Sequence, residues 1–421
     1  MVKSNSGISR RGALKMLGAV SLAAGFGSKA LAQKRTTPTV FMDGHVHITN
    51  RVYWEKADFW QPQPGNWDYG RAWTGGINCI IDSLGTHGAW NYNYTPKQFL
   101  RLIETAHRYA GRHADKMAIV TTTAEARRVI ESGRMAVFLG CESGWDHEGD
   151  LDVLGAFYRL GLRTIQFASQ SGFNAFADSA VAMAQGGQQP DHYGGLNDRG
   201  RALVAEMNRL GILIDIAHGT EATQKQLIKA SKAPVVCSHD TVKAVSGTGI
   251  SDEILKMLTG KGGLLGIHGG AALVGKRYRE WMAQHPNEVA EAVKNVPNTL
   301  GYEPSQPRKA GDHGEYIALF DKEFGDLWRA RRDWRERPEL QPLIPEAGEW
   351  AEQVDYVIKT VGADHVAIGL DMVDARSGVP RDARGYGEIL AAIKRITTPA
   401  NVAKICGGNW FRVLDSAKAF S

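Results

Sequence analysis

Cysteine is scarce in this chain, with four residues among 421. So few cysteines, no two of them in a Cys-x-x-Cys pair, predict that no disulfide framework underlies the fold. Cys79, Cys141 and Cys237 sit in apolar, strand-like runs, where a buried free thiol is expected. Long hydrophobic runs are lacking too: the apolar stretch from Met16 to Phe26 is too short to span a bilayer. Charge of one sign is missing from most of the chain. The formal net charge of +5 equals that of Lys3, Arg10, Arg11, Lys15 and Lys29, which lie in an acid-free segment ending at Ala32. The remainder is close to neutral, which removes electrostatic support for nucleic-acid binding. No Gly-x-Gly-x-x-Gly follows an apolar run, no repeat is visible, and a hydrophobic fraction of 43% excludes general disorder.

The first 32 residues read as a targeting signal. Ser9-Arg10-Arg11-Gly12-Ala13-Leu14-Lys15 is a twin-arginine pattern, the short apolar stretch follows it, and Ala30-Leu31-Ala32 offers a cleavage site before Gln33. The expectation is export by the twin-arginine machinery and a periplasmic mature protein, 33–421, without a membrane anchor.

Along 33–421, short apolar runs alternate with longer amphipathic stretches, the pattern of βα units around a parallel sheet. Strands are predicted at 40–45, 77–84, 135–142, 163–168, 212–218, 234–239, 263–268 and 365–371. Eight such units predict an α/β fold, a (β/α)8 TIM-like barrel, with a doubly wound open sheet as the alternative. Two segments exceed what a barrel needs. One, 51–76, is rich in Trp and Gly. The other, 276–350, carries Trp281, Trp328 and Trp334 among many arginines and reads as a helical insertion after strand seven, over the barrel mouth.

The polar residues fall at the ends of the apolar runs: His45 and His47, Glu142, His218, His239, His268 and Asp371. Strand C-termini of a parallel barrel open on one face, so these groups are expected to converge. His45 and His47, two apart on a strand, point the same way and can share a metal. Imidazoles with carboxylates suit zinc, and a carboxylate such as Glu142 can bridge two ions.

Several stretches resemble the membrane (renal-type) dipeptidase family of zinc metallopeptidases. They are Phe41-Met42-Asp43-Gly44-His45-Val46-His47, Leu139-Gly140-Cys141-Glu142-Ser143-Gly144 and Gly195-Leu196-Asn197-Asp198-Arg199-Gly200. To these add Glu206-Met207-Asn208-Arg209-Leu210-Gly211, Asp215-Ile216-Ala217-His218, Ser238-His239, Asp364-His365-Val366-Ala367-Ile368-Gly369-Leu370-Asp371 and Gly407-Gly408-Asn409-Trp410-Phe411-Arg412. They run in family order over nearly the whole chain; 276–350 matches least. The resemblance implies a binuclear zinc hydrolase in which His45 and His47 hold one ion, His218 and His239 the other, and Glu142 bridges both. A metal-bridging hydroxide would attack the amide, and Asp371 would carry the proton to the leaving nitrogen. A small peptide or amide is the implied substrate, and a homodimer is among the assemblies the family forms.

Three positions depart from that pattern. Position 47 is His where the dipeptidases carry Asp, which replaces an anionic ligand by a neutral one. Gln170 aligns with the family's carbonyl-polarising His and joins His268 as a candidate substrate contact. The family's carboxylate-binding Arg falls near Ile250, where no Arg is found, and an arginine of the insertion could take its place from another direction. Three readings follow: hydrolysis of a dipeptide or related small amide; tailoring of a secreted peptide or metabolite of siderophore type, without simple peptide hydrolysis; and a metal-binding protein without catalysis. Glu142 and Asp371 speak against the third.

Overall fold

Nine parallel strands order the chain in the computed structural model, which describes residues 39–85, 95–142, 150–168, 174–180, 192–296 and 313–418. They are β1 (Met42–Val46), β2 (Cys79–Gly85), β3 (Met117–Ile119), β4 (Met135–Glu142), β5 (Leu162–Gln166), β6 (Leu213–Asp215), β7 (Val236–Asp240), β8 (Leu264–Ile267) and β9 (Val366–Ile368). Eight of them follow one another in the order β1-β2-β4-β5-β6-β7-β8-β9, and β3 pairs with β4 off this path. Each of the eight expected runs overlaps one strand of the path. The short β3 has no counterpart among the expected runs.

The C-terminal end of the first strand meets the segment that follows the last. The Asp371 N–H donates to the His45 carbonyl at 3.1 Å, and the His47 N–H donates to the Met372 carbonyl at 3.4 Å. This seam brings the sheet round into a barrel.

Every residue of β2 and β4 is buried, because a parallel sheet wrapped by helices has no wet face. The side chains alternate between two cores. Met42, Cys79, Ile81, Ala136, Phe138, Leu213, Val236, Leu264 and Ala367 share the inner one with Trp410 and Phe411 of the last helix, Asn409–Lys418. Ile80, Val137, Leu139, Ile165, Ile214, Cys237, Leu265 and Ile368 face the outer helices. All four cysteines are buried and free.

On the inner face the period of two continues into polar residues: Ser83 after Ile81, Glu142 after Gly140, Gln166 after Thr164, Asp215 after Leu213 and Ser238 after Val236. Gly140 makes room below Glu142, since a Cβ there would meet Thr164 Oγ1 at 2.5 Å. The fold therefore delivers its polar groups to one end of the barrel.

The segment between β8 and β9 contains helices Lys276–Gln284, Glu288–Val293 and His313–Arg335, and then helix Ala347–Val361. Helix His313–Arg335 packs on helix Ile48–Glu55, which directly follows His47. The Tyr53 hydroxyl donates to Asp321 at 2.5 Å, Trp54 lies against Trp328, and Arg332 faces Glu55 at 3.6 Å. Arg335 reaches Asp374, just past Asp371, at 3.3 Å. Among the described residues no helix is long and apolar enough to cross a membrane.

Candidate metal centre

Strands β6 and β9 stop short of the residues they present. Asp215 ends β6, and its carboxylate accepts the Ala217 and Ser238 N–H groups at 3.0 and 2.9 Å, which curls the chain and ties it to β7. His218 then adopts a left-handed backbone, φ 64°. After β9, Asp43 accepts the Leu370 N–H at 3.0 Å, and Asp371 is left-handed as well, φ 53°. Such conformations cost a non-glycine residue about 1–3 kcal/mol and collect where function over-determines the backbone. The expected extension of these strands to 218 and 371 fails for this reason.

Four imidazoles and two carboxylates converge. His45 Nε2 lies 3.1 Å from His47 Nε2, and His218 Nε2 lies 3.0 Å from His239 Nε2. Glu142 stands between the pairs: Oε2 is 2.5 Å from His47 Nε2 and 3.5 Å from His45 Nε2, and Oε1 is 3.6 Å from His218 Nε2. Asp371 Oδ1 faces His47 Nε2 at 3.2 Å and His45 Nε2 at 3.8 Å. Two groups have ligand atoms within 4.8 Å of one another, His45 with Glu142 and His239, and His45 with His47 and Asp371. Asp371 brings a carboxylate oxygen to the edge of the His45 and His47 pair, so a negative charge faces the neutral ligand at position 47.

Electrostatics fit a cation. Burial pushes the Glu142 carboxyl up, but the charge on His47 and hydrogen bonds from His45 and His47 hold it well below the usual range. Burial likewise raises Asp371, and hydrogen bonds from His268 and His47 override it and leave it well below the usual range. His47 is raised well above an ordinary histidine, because Glu142 and Asp371 outweigh its burial. The two carboxylates thus demand positive charge at this point, a demand that a divalent ion answers. His239 is pushed well below its ordinary value by burial and by His45, and His218 is lowered, chiefly by burial. Neutral imidazole is the form that ligates metal. The donor set fits zinc or a similar divalent ion.

The supporting residues do not stand out in the sequence. Ser238 Oγ lies 3.0 Å from His45 Nδ1 and 2.7 Å from His239 Nδ1, and Ser83 Oγ lies 3.2 Å from His45 Nδ1. Gln166 Nε2 sits 2.9 Å from His218 Nδ1. Their shared signal is inner-face alternation with apolar residues. Gln170 lies outside the described residues. His268 comes to the site with its Nε2 at 3.1 Å from Asp371 Oδ2, and it also lines a cavity of about 390 Å³ opening beside His218 and His239. Asp240, Lys243, Thr248 and Ile250 line the same cavity. The expected arginine clamp from the insertion is not seen among the described residues of this wall. Arg279 instead donates to the Leu273 and Ser246 carbonyls at 2.6 and 2.5 Å, fixing the wall from behind.

Known proteins are similar to this chain in sequence or in fold. The chain is 32% identical to Dipeptidase verJ of Clonostachys rogersoniana over 208 residues, 48% of this chain, and spans about half, 50%, of verJ's length. It is 27% identical to Dipeptidase aclJ of Aspergillus oryzae over 298 residues, 65% of this chain and 67% of aclJ. The crystal structure of the probable dipeptidase PvdM from Pseudomonas aeruginosa superposes with a TM-score of 0.69 at 19% identity, covering 91% of this chain and 96% of PvdM. Residues 30–421 match the family model of membrane dipeptidase, peptidase family M19. With its barrel and its cluster of histidines and carboxylates, the chain belongs to the membrane dipeptidase family.

Proposed function

We propose that this protein is a metal-dependent hydrolase that cleaves the amide bond of a dipeptide or a related small amide. We further place it in the periplasm, reached by twin-arginine export. The observation that carries the reading is Glu142, whose two oxygens face two histidine pairs. In this reading His45 and His47 hold one ion, His218 and His239 the other, and Glu142 lies between them. Divalent ions held by these residues would supply Lewis acidity toward the scissile carbonyl and toward a water molecule. Asp371, held as a carboxylate beside them, accepts the proton released by the attacking water and hands it to the leaving nitrogen.

The cavity matches a small substrate, because pockets of about 300–1,000 Å³ hold ligands of drug size or below. Among the described residues Lys243 is the only lysine or arginine lining it, and its ammonium is the group that would meet a substrate carboxylate. The wall at Thr248, Gly249 and Ile250 offers no bidentate clamp, and that favours a second reading in which the same centre tailors a secreted peptide or metabolite.

One experiment separates the readings. Protein beginning at Gln33 is loaded with zinc, its metal content measured, and a panel of L-L, L-D and dehydro-dipeptides assayed. The expected result is about two ions per chain and clear turnover that falls when the C-terminal carboxylate is amidated. Two ions without turnover would shift the assignment to tailoring. A folded protein that takes up no divalent ion would refute both.

A further inference from the structure

His268 is seated with unusual constraint. The Gly270 N–H donates to its Nδ1 at 2.7 Å. A ring nitrogen that accepts carries no proton, so the proton of the neutral ring is on Nε2. That nitrogen points at Asp371 Oδ2, 3.1 Å away. Gly270 has an ordinary backbone, φ −63°, so glycine is not needed there for conformation. It is needed for space, because a Cβ would come within 2.7 Å of His268 Cε1. The His268 N–H in turn donates to the Asp240 carbonyl at 2.9 Å, which anchors the turn to β7.

We propose that His268 is a positioning residue that acts through Asp371. Its Nε2–H pins Oδ2, which leaves Oδ1 turned toward His45 and His47. The two oxygens of Asp371 thereby take different tasks, one held and one facing the reacting groups. Without the pin, a side chain exposed over 20% of its surface on a left-handed residue would keep only the Oδ1 contact with His47 and could turn about it. The proposal rests on the reading that Asp371 moves the proton, and it differs from a role for His268 in gripping substrate.

The test joins spectroscopy to kinetics. Long-range heteronuclear NMR spectra of the histidine rings, recorded on chelator-treated and zinc-loaded protein and compared with His268→Gln, should show a bare Nδ1 and a protonated Nε2 for His268. A ring protonated only on Nδ1 overturns the proposal whatever the activity. On a dipeptide that the wild type hydrolyses, His268→Ala should lower kcat about tenfold or more, with KM within about twofold and zinc content unchanged. His268→Gln, which keeps a donor near Nε2, should recover most of that loss. Gly270→Ala, which crowds the ring out of its seat, should reproduce the loss and serves as the probe if His268→Ala does not fold. Adding His268→Ala to Asp371→Asn should cost nothing further. Additive losses, or a change confined to KM, overturn the inference. Wild-type turnover by Asp371→Asn would instead remove the reading of Asp371 beneath it.

Discussion

Ser238 has one hydroxyl proton and two imidazoles to serve. With Nδ1 of His45 at 3.0 Å and of His239 at 2.7 Å, it can donate to only one of them, so at least one neutral ring must donate to Oγ. A ring protonated on Nδ1 presents a bare Nε2 to a metal. Ser238→Ala is therefore expected to weaken zinc binding by about 10- to 100-fold, as loss of outer-shell support does, measured by chelator competition. Unchanged affinity would mean that Ser83 and the surrounding chain suffice. At this scale the candidate ligands are legible in the sequence, because His45, His47, Glu142, His218 and His239 end apolar runs, where a charged or imidazole side chain is conspicuous. Ser83, Gln166 and Ser238 are not. A short polar residue alternating with apolar ones on a strand looks the same whether it supports a ligand or merely sits in a core. The contact between His268 and Asp371 is equally invisible, since it depends on how β8 and β9 are aimed.

Among the elements, the insertion contributes backbone support where its arginines suggest substrate contact. Arg279, on helix Lys276–Gln284, holds the carbonyl of Ser246, which lies in the chain between Lys243 and Thr248 of the cavity wall, and that of Leu273, which lines the same cavity. Arg279→Ala should loosen this wall and raise KM about three- to tenfold while kcat and zinc content change little, because such an interaction serves ground state and transition state alike. A fall in kcat at constant KM would instead tie Arg279 to the chemistry. Strand positions are legible from hydrophobic runs, as a parallel sheet buried on both faces requires. Their ends are not. The curls at 215–218 and 368–371 come from the carboxylates of Asp215 and Asp43 capturing neighbouring N–H groups, which no local periodicity reveals. The three-residue β3 pairs only with β4 and is too short to stand out from the turn that follows helix Thr95–Arg112.

For the whole molecule, stability should carry a mark of its buried acids. Burial raises Asp43, Asp82 and Asp240 to about 6 each. A carboxyl raised on folding binds its proton more tightly in the native state, so its contribution is greatest below the unfolded value near 4 and is lost as pH rises through about 6. Asp82 accepts hydrogen bonds from the Thr49 N–H and hydroxyl, at 3.1 and 2.6 Å, and an amide oxygen can keep one of them. Asp82→Asn should therefore flatten the fall in unfolding free energy between pH 4.5 and 7 by on the order of 2–3 kcal/mol, read from urea unfolding of chelator-treated protein. Parallel curves for the two proteins would contradict that assignment. The seam between β1 and the end of β9 has a consequence for biosynthesis. His45 and His47 leave the ribosome early, whereas Asp371 and the backbone groups that hold it against His45 come near the end of translation. A nascent chain lacking the residues from 366 onward has neither the seam that closes the barrel nor Asp371 beside the histidines, so the centre can be assembled only when synthesis is nearly finished.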